Sequence, residues 1–141
     1  MAIDHLGLGV PDVGAARAYY DELMPLVGYQ PCFGNGYAPT DWQGAQVFLY
    51  PALESGHYSR HRTGLQHLAF LVPTRGDVRR VHAWVEARGD AVIHAPRPFP
   101  EYGEHCYATF FSDPNGVVLE VLCHEPDDGA AAERRPDDAT R

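Results

Sequence analysis

Two histidines open two copies of one sequence pattern, and a glutamate interrupts an otherwise apolar run near the end of the chain. His5 leads His5-Leu6-Gly7-Leu8-Gly9-Val10-Pro11; 62 positions later His67 leads His67-Leu68-Ala69-Phe70-Leu71-Val72-Pro73, with His, Leu, Val and Pro in matching places. Glu120 lies inside Val117-Val118-Leu119-Glu120-Val121-Leu122. A carboxylate withdrawn from water needs a cation or strong hydrogen-bond donors, because desolvation without pairing is costly. Two imidazoles and one carboxylate would bind one divalent metal ion and leave positions open for water or substrate. Zn, Mn, Fe, Co and Ni all suit such donors, so the donor set does not choose the metal. Taken singly, each residue has a plainer role, as a hydrogen-bonded strand histidine or a glutamate facing an arginine. Their joint placement at repeat-related positions favours the metal.

The elements that must position these residues also repeat. Each histidine begins a strand-like segment followed by helix signals: Asp12 is placed to cap the first helix, and Thr74 with Asp77 forms a capping-box pattern for the second. Ala16, Tyr19, Tyr20 and Leu23 make one helical stripe, and Val78, Val81 and Val85 another, with Gly28 and Gly89 as C-terminal stops. Three strand-like runs follow each helix, at 29–34, 36–43 and 45–50, then at 91–97, 104–112 and 117–124. The last hairpin of each half matches too, Asp41-Trp42-Gln43-Gly44 against Asp113-Pro114-Asn115-Gly116. The expectation is an α+β fold of two β-α-β-β-β modules.

Alternation along a strand assigns the faces. Leu6, Leu8 and Val10 fall beneath the first helix, and Leu68, Phe70 and Val72 beneath the second. His5 and His67 are left on the faces away from the helices.

Bulk properties narrow the function classes. The chain has 141 residues, a size usual for one domain, with 45% hydrophobic and 21% charged residues. The expected division is a single domain over 1–124 (module 1, 1–50; linker, 51–63; module 2, 64–124) and a polar flexible tail over 125–141. The net charge of −8, from 11 basic and 19 acidic residues, leaves no basic face for nucleic acid. No stretch reads as a signal peptide or a membrane span, so a cytoplasmic location is expected, with no membrane partner. Cys32, Cys106 and Cys123 are odd in number and lack zinc-knuckle spacing, and are expected to be reduced.

The segments IDHLGLGV, LQHLAFLVP and YATFFSDPNGVVLEVL, from about Ile3 to His124, resemble the vicinal oxygen chelate superfamily of glyoxalase I, bleomycin-resistance proteins and extradiol dioxygenases. The resemblance implies paired modules forming a cup-shaped mixed sheet with helices on its outer face. It also implies metal ligands at His5, His67 and Glu120, and a likeness to members that pair as homodimers. Departures from individual families are informative. Aligning Gly44 with Gly116 puts Phe48 opposite Glu120, where glyoxalase I carries a fourth ligand. Phe110 stands where extradiol dioxygenases and fosfomycin transferases carry a tyrosine, and Gly7 where the latter carry a threonine.

By parity the cup is expected to be lined by Gln46, Phe48, Tyr50, Ala69, Leu71, Cys106, Ala108, Phe110 and Leu122, a mainly apolar set suited to an aromatic or hydrophobic oxygenated substrate. Cys106 reads as a packing residue. Tyr58, Arg60, His61, Glu101, Tyr102 and His105 are placed to reach the mouth; Glu101, Tyr102, His105 and Tyr50 are the candidates for acid–base work. His57, His82, His94 and His124 have no repeat counterpart and read as structural or surface residues. The functional expectation is a metal-dependent enzyme acting on a small oxygen-bearing molecule by lyase, isomerase or dioxygenase chemistry. The alternative is a non-catalytic protein that sequesters a hydrophobic compound or antibiotic.

Overall fold

A computed structural model of the chain describes residues 3–127. Most of the expected tail, 128–141, lies outside the described residues. The first module runs β1 (His5–Val10), α1 (Val13–Leu26), β2 (Tyr29–Pro31), β3 (Gly36–Pro39) and β4 (Gln46–Pro51). The second repeats the order with β5 (Leu68–Leu71), α2 (Arg75–Arg88), β6 (Val92–Pro98), β7 (Tyr107–Ser112) and β8 (Val118–Cys123). A short 3-10 turn, Pro100–Tyr102, joins β6 to β7. The two β-α-β-β-β modules read from the repeat are therefore present. The strands expected over 29–34 and 36–43 are shorter, closing at Pro31 and Pro39, which have no N–H to extend a ladder.

Each module makes its own four-stranded mixed sheet, ordered β1-β4-β3-β2 and β5-β8-β7-β6. In each, the first strand runs parallel to the last, and the remaining pairings are antiparallel. Both strands of the repeated motif, β1 and β5, are consequently sheet edges.

The helices form where the sequence places their ends. Asp12 accepts a hydrogen bond from Ala15 N at 2.9 Å, and α2 carries the full capping box between Thr74 and Asp77. Gly28 (φ 80°) and Gly89 (φ 74°) take the left-handed conformation that ends each helix, one that side chains with a Cβ rarely adopt. Burial works against the Asp77 charge, but hydrogen bonds from Thr74 and the charge of Arg80 outweigh it and hold the carboxyl below its ordinary 3.8. A group with a depressed folded pKa contributes stability above its unfolded pKa and loses it as pH falls through the folded one. Thr74→Ala is expected to cost about 1 kcal/mol by urea unfolding at neutral pH. The cost should shrink on acidification below 3.8, where Asp77 no longer gains from the box.

The helix-facing sides of both sheets and both helices share one core, which includes Leu8, Val10, Tyr20, Leu23, Phe70, Val78, Val81, Phe111 and Leu119. The modules are joined through this side. The Tyr19 and Trp84 rings lie 5.2 Å apart, Glu22 accepts from Trp84 and Arg88, and the Tyr29 ring meets Phe70 edge-on. At the centre, the fully buried Tyr20 donates its hydroxyl to Asp113 Oδ2 at 2.8 Å, tying α1 to the β7–β8 turn. Past β8, Arg75 holds the chain: its N–H donates to Glu125 Oε2, its Nε to Glu125 O, and its guanidinium pairs with Asp127. The first residues of the expected tail are thus docked. All three cysteines are free thiols, and no helix among the described residues is long and apolar enough to cross a membrane.

Candidate metal centre

The second module brings two of the three proposed ligands to one point. Glu120, in the middle of β8, is 7% exposed, and His67, immediately before β5, sets Nε2 3.1 Å from Glu120 Oε2. The pairing of Ala69 with Glu120 across the parallel β5–β8 ladder fixes this approach. Burial raises the Glu120 carboxyl above its ordinary value, and His67 partly opposes the shift. The other ring nitrogen, His67 Nδ1, is hydrogen-bonded to the Gln66 side-chain oxygen. With Nδ1 protonated there, Nε2 and the carboxylate face each other across a place that a proton or a cation must fill.

The first module offers a matching but incomplete half. The pairing of Gly7 with Phe48 is the repeat equivalent of Ala69 with Glu120, so a phenyl ring occupies the position of the carboxylate. The absent fourth ligand is therefore seen in the register itself. His5 Nδ1 donates to Asp4 Oδ2 at 2.7 Å, repeating the Gln66–His67 arrangement, and its ring meets Phe48 edge-on at 5.7 Å. Gly36 makes room for that phenyl ring, since a Cβ there would stand 2.4 Å from it.

His5 does not join His67 and Glu120. Among the described residues no three His, Cys, Asp or Glu side chains are grouped closely enough to hold an ion. Two donors are thus assembled among the described residues, with His5 held apart, its Nδ1 bonded to Asp4 and its Nε2 without a hydrogen-bond partner there. The chemistry of the donors fits a metal centre; their number within one chain does not complete it.

Beside the His67–Glu120 pair lies a cavity of about 360 Å³. Of the lining expected by parity, Cys106, Phe110 and Leu122 are in its wall, while Gln46, Phe48, Tyr50 and Ala69 are not. Parity gave the correct face of the first sheet, but the fold keeps that sheet out of this cavity. Tyr50 is 52% exposed and lies over Gly7. Of the other acid–base candidates, Tyr102 lines the cavity, whereas Glu101 and His105 are exposed and outside its wall. Cys106 is 3% exposed and its thiol is pushed up by burial and then by Glu120, in keeping with a packing role.

The cavity also has Gln66, His94, Phe99, Val118 and His124 in its wall. His94 and His124, read from the sequence as structural or surface residues, are exposed and contribute to this wall. His94 pairs with Phe110 across the β6–β7 ladder, and its ring meets Phe110 and Phe99 at 5.7 and 5.8 Å.

Paired β-α-β-β-β modules, each with a first strand parallel to its last, define the class to which this architecture belongs. The model of the glyoxalase/bleomycin resistance protein/dioxygenase superfamily matches residues 2–121, and the chain belongs to that superfamily. It is 29% identical over 125 residues to the Bacillus subtilis (strain 168) protein YqjT, itself uncharacterized, covering 84% of this chain and 95% of that one. A candidate glyoxalase from Bacillus halodurans superposes with a TM-score of 0.71 at 25% identity, over 86% of this chain and 94% of its own. A glyoxylase/bleomycin resistance protein/dioxygenase domain from Frankia sp. EAN1pec gives 0.75 at 17% identity, over 94% and 98%, a likeness of fold.

Proposed function

We propose that the chain is a divalent-metal-dependent enzyme acting on a small oxygen-bearing organic molecule. In this reading His67 and Glu120 of one chain and His5 of a second copy hold the ion in a homodimer. The observation that carries it is the convergence of His67 Nε2 and Glu120 beside a cavity, with both histidines held through Nδ1 so that Nε2 is left for a ligand bond.

The second copy is invoked on two grounds. His5 has the same Nδ1 support as His67 but meets no other donor among the described residues of its own chain. The strands bearing the histidines are also sheet edges, where Ile3 is 74% and Leu71 66% exposed, and unpaired edges are templates for another chain.

A bound ion of this kind supplies Lewis acidity, polarising a substrate oxygen or lowering the pKa of bound water. The protein's own part is to bind and orient. Phe99 and Phe110 exclude water from one wall, and Gln66 and Asp4 fix which imidazole nitrogen carries the proton. Tyr102, His94 and His124 are side chains at the cavity wall able to carry a proton.

Metal analysis tests this reading. Protein purified without added metal is expected to take up one divalent ion per chain at neutral pH and to lose it to a chelator. A folded apoprotein that gains no ion, yet binds hydrophobic compounds, would replace the enzyme with a sequestering protein.

A further inference from the structure

The cavity beside His67 and Glu120 has a cation in its wall. Arg60, from the linker, lines it half-buried, with neither a hydrogen bond nor an ion pair among the described residues. Several other arginines pair with carboxylates, Arg17 with Asp21, Arg75 with Asp127, Arg80 with Asp77, and Arg88 with Glu22 and Asp90, while Arg62 and Arg97 donate to backbone carbonyls. Arg60 does not neutralise the cavity's own acid either, since the influences on Glu120 are burial and His67. A guanidinium left in that state is a fork of donors suited to a planar carboxylate.

Another part of the wall is aromatic. Phe99, 2% exposed, stacks on Tyr102 with ring centres 5.8 Å apart and planes 15° from parallel, and meets Phe110 at 5.3 Å. His94 closes the group against both phenylalanines. Phe99 is itself covered by Tyr102 and by the Arg97 guanidinium, 3.8 Å from its ring centre, so Tyr102 and Phe110 are the rings left to meet a flat ligand. At about 360 Å³ the cavity is at the small end for organic ligands.

We propose that this cavity takes an aromatic monocarboxylate, its ring against Tyr102 and Phe110 and its carboxylate on Arg60. The remaining polar edge of the molecule is then directed to the His67–Glu120 end. The assignment rests on the cavity being a substrate site, as in the proposed function, but its test needs no metal.

The probes are benzoate, benzyl alcohol and acetate, titrated into the chelator-treated full chain and followed by NMR shift changes. Benzoate is expected to bind at least about tenfold more tightly than either of the others. Arg60→Gln should bring benzoate to the level of benzyl alcohol while leaving benzyl alcohol unchanged, and Arg60→Lys should recover part of the loss. Tyr102→Ala should weaken both ring compounds. Unfolding midpoints equal to that of the parent chain show that the Arg60 variants are folded. Equal binding of benzoate and benzyl alcohol, an unaltered benzoate affinity in Arg60→Gln, or acetate binding as tightly as benzoate would each overturn the proposal. None of these results bears on metal uptake, so the failure of one reading is separable from failure of the other.

Discussion

Mixing chains that carry His5→Ala with chains that carry Glu120→Ala is expected to restore divalent-ion binding that neither variant retains alone. Each mixed pair would hold one site with all three donors: His67 and Glu120 from the His5→Ala chain, and His5 from the Glu120→Ala chain. Each variant by itself should bind the ion more than about a hundredfold more weakly, since loss of an outer-shell support alone costs 10–100-fold. Removing His67 or Glu120 also breaks the 3.1 Å contact within one chain. Removing His5 breaks nothing around that pair, because His5 contacts Asp4 and Phe48 instead. A weakened ion in His5→Ala therefore reports a contribution from outside the folded unit. Titration of a coloured divalent ion such as Co(II) reads the outcome, and no recovery on mixing would return the site to a single chain.

The largest effect on stability is expected at Tyr20. Its side chain is fully buried at the junction of the modules, where it meets Tyr19 and Tyr37 and donates to Asp113. Tyr20→Ala removes a ring from a packed interior and should cost about 3–5 kcal/mol in urea unfolding, as large-to-small aromatic changes do. Tyr20→Phe keeps most of the packing and isolates the hydrogen bond.

Burial raises Asp113 above its ordinary 3.8, while Tyr20 and the backbone N–H groups of Val117, Asn115 and Gly116 hold it down. A raised folded pKa means that stability from this group is fully present below the unfolded value and is lost as pH rises through the folded one. Taking away the Tyr20 hydroxyl removes one donor to the charged form and raises the value further. Tyr20→Phe should thus be about 1–3 kcal/mol less stable at neutral pH, with much of the difference recovered on acidification towards 3.8. An equal deficit at both pH values would assign the effect to packing alone.

Much of this fold was legible because it is written twice. The spacing of His5 and His67, the caps at Asp12 and Thr74 and the stops at Gly28 and Gly89 depend on local chemistry, and local chemistry is what a sequence carries. Parity worked for the same reason: Leu8, Val10, Phe70 and Val72 are buried under the helices, and Phe48 does occupy the position equivalent to Glu120. The relation between modules was harder to read. Whether β1 lies beside β5 of its own chain or of another depends on how Tyr19, Tyr29 and Trp84 pack across the helix side, and periodicity within a module is silent about that. Phe48 and Tyr50 were therefore assigned to the same cup as Phe110 and Leu122, and His94 was passed over because it had no counterpart in module 1.

The isolation of His5 from its sister ligands has a thermodynamic consequence. Under the proposed arrangement, ion and second chain are linked ligands of one equilibrium: whatever tightens the hold on one tightens the hold on the other by the same factor. Occupancy would then obey mass action in the protein itself, with dilution draining the ion and chelation loosening the pair. A chain built this way carries a gauge of its own abundance.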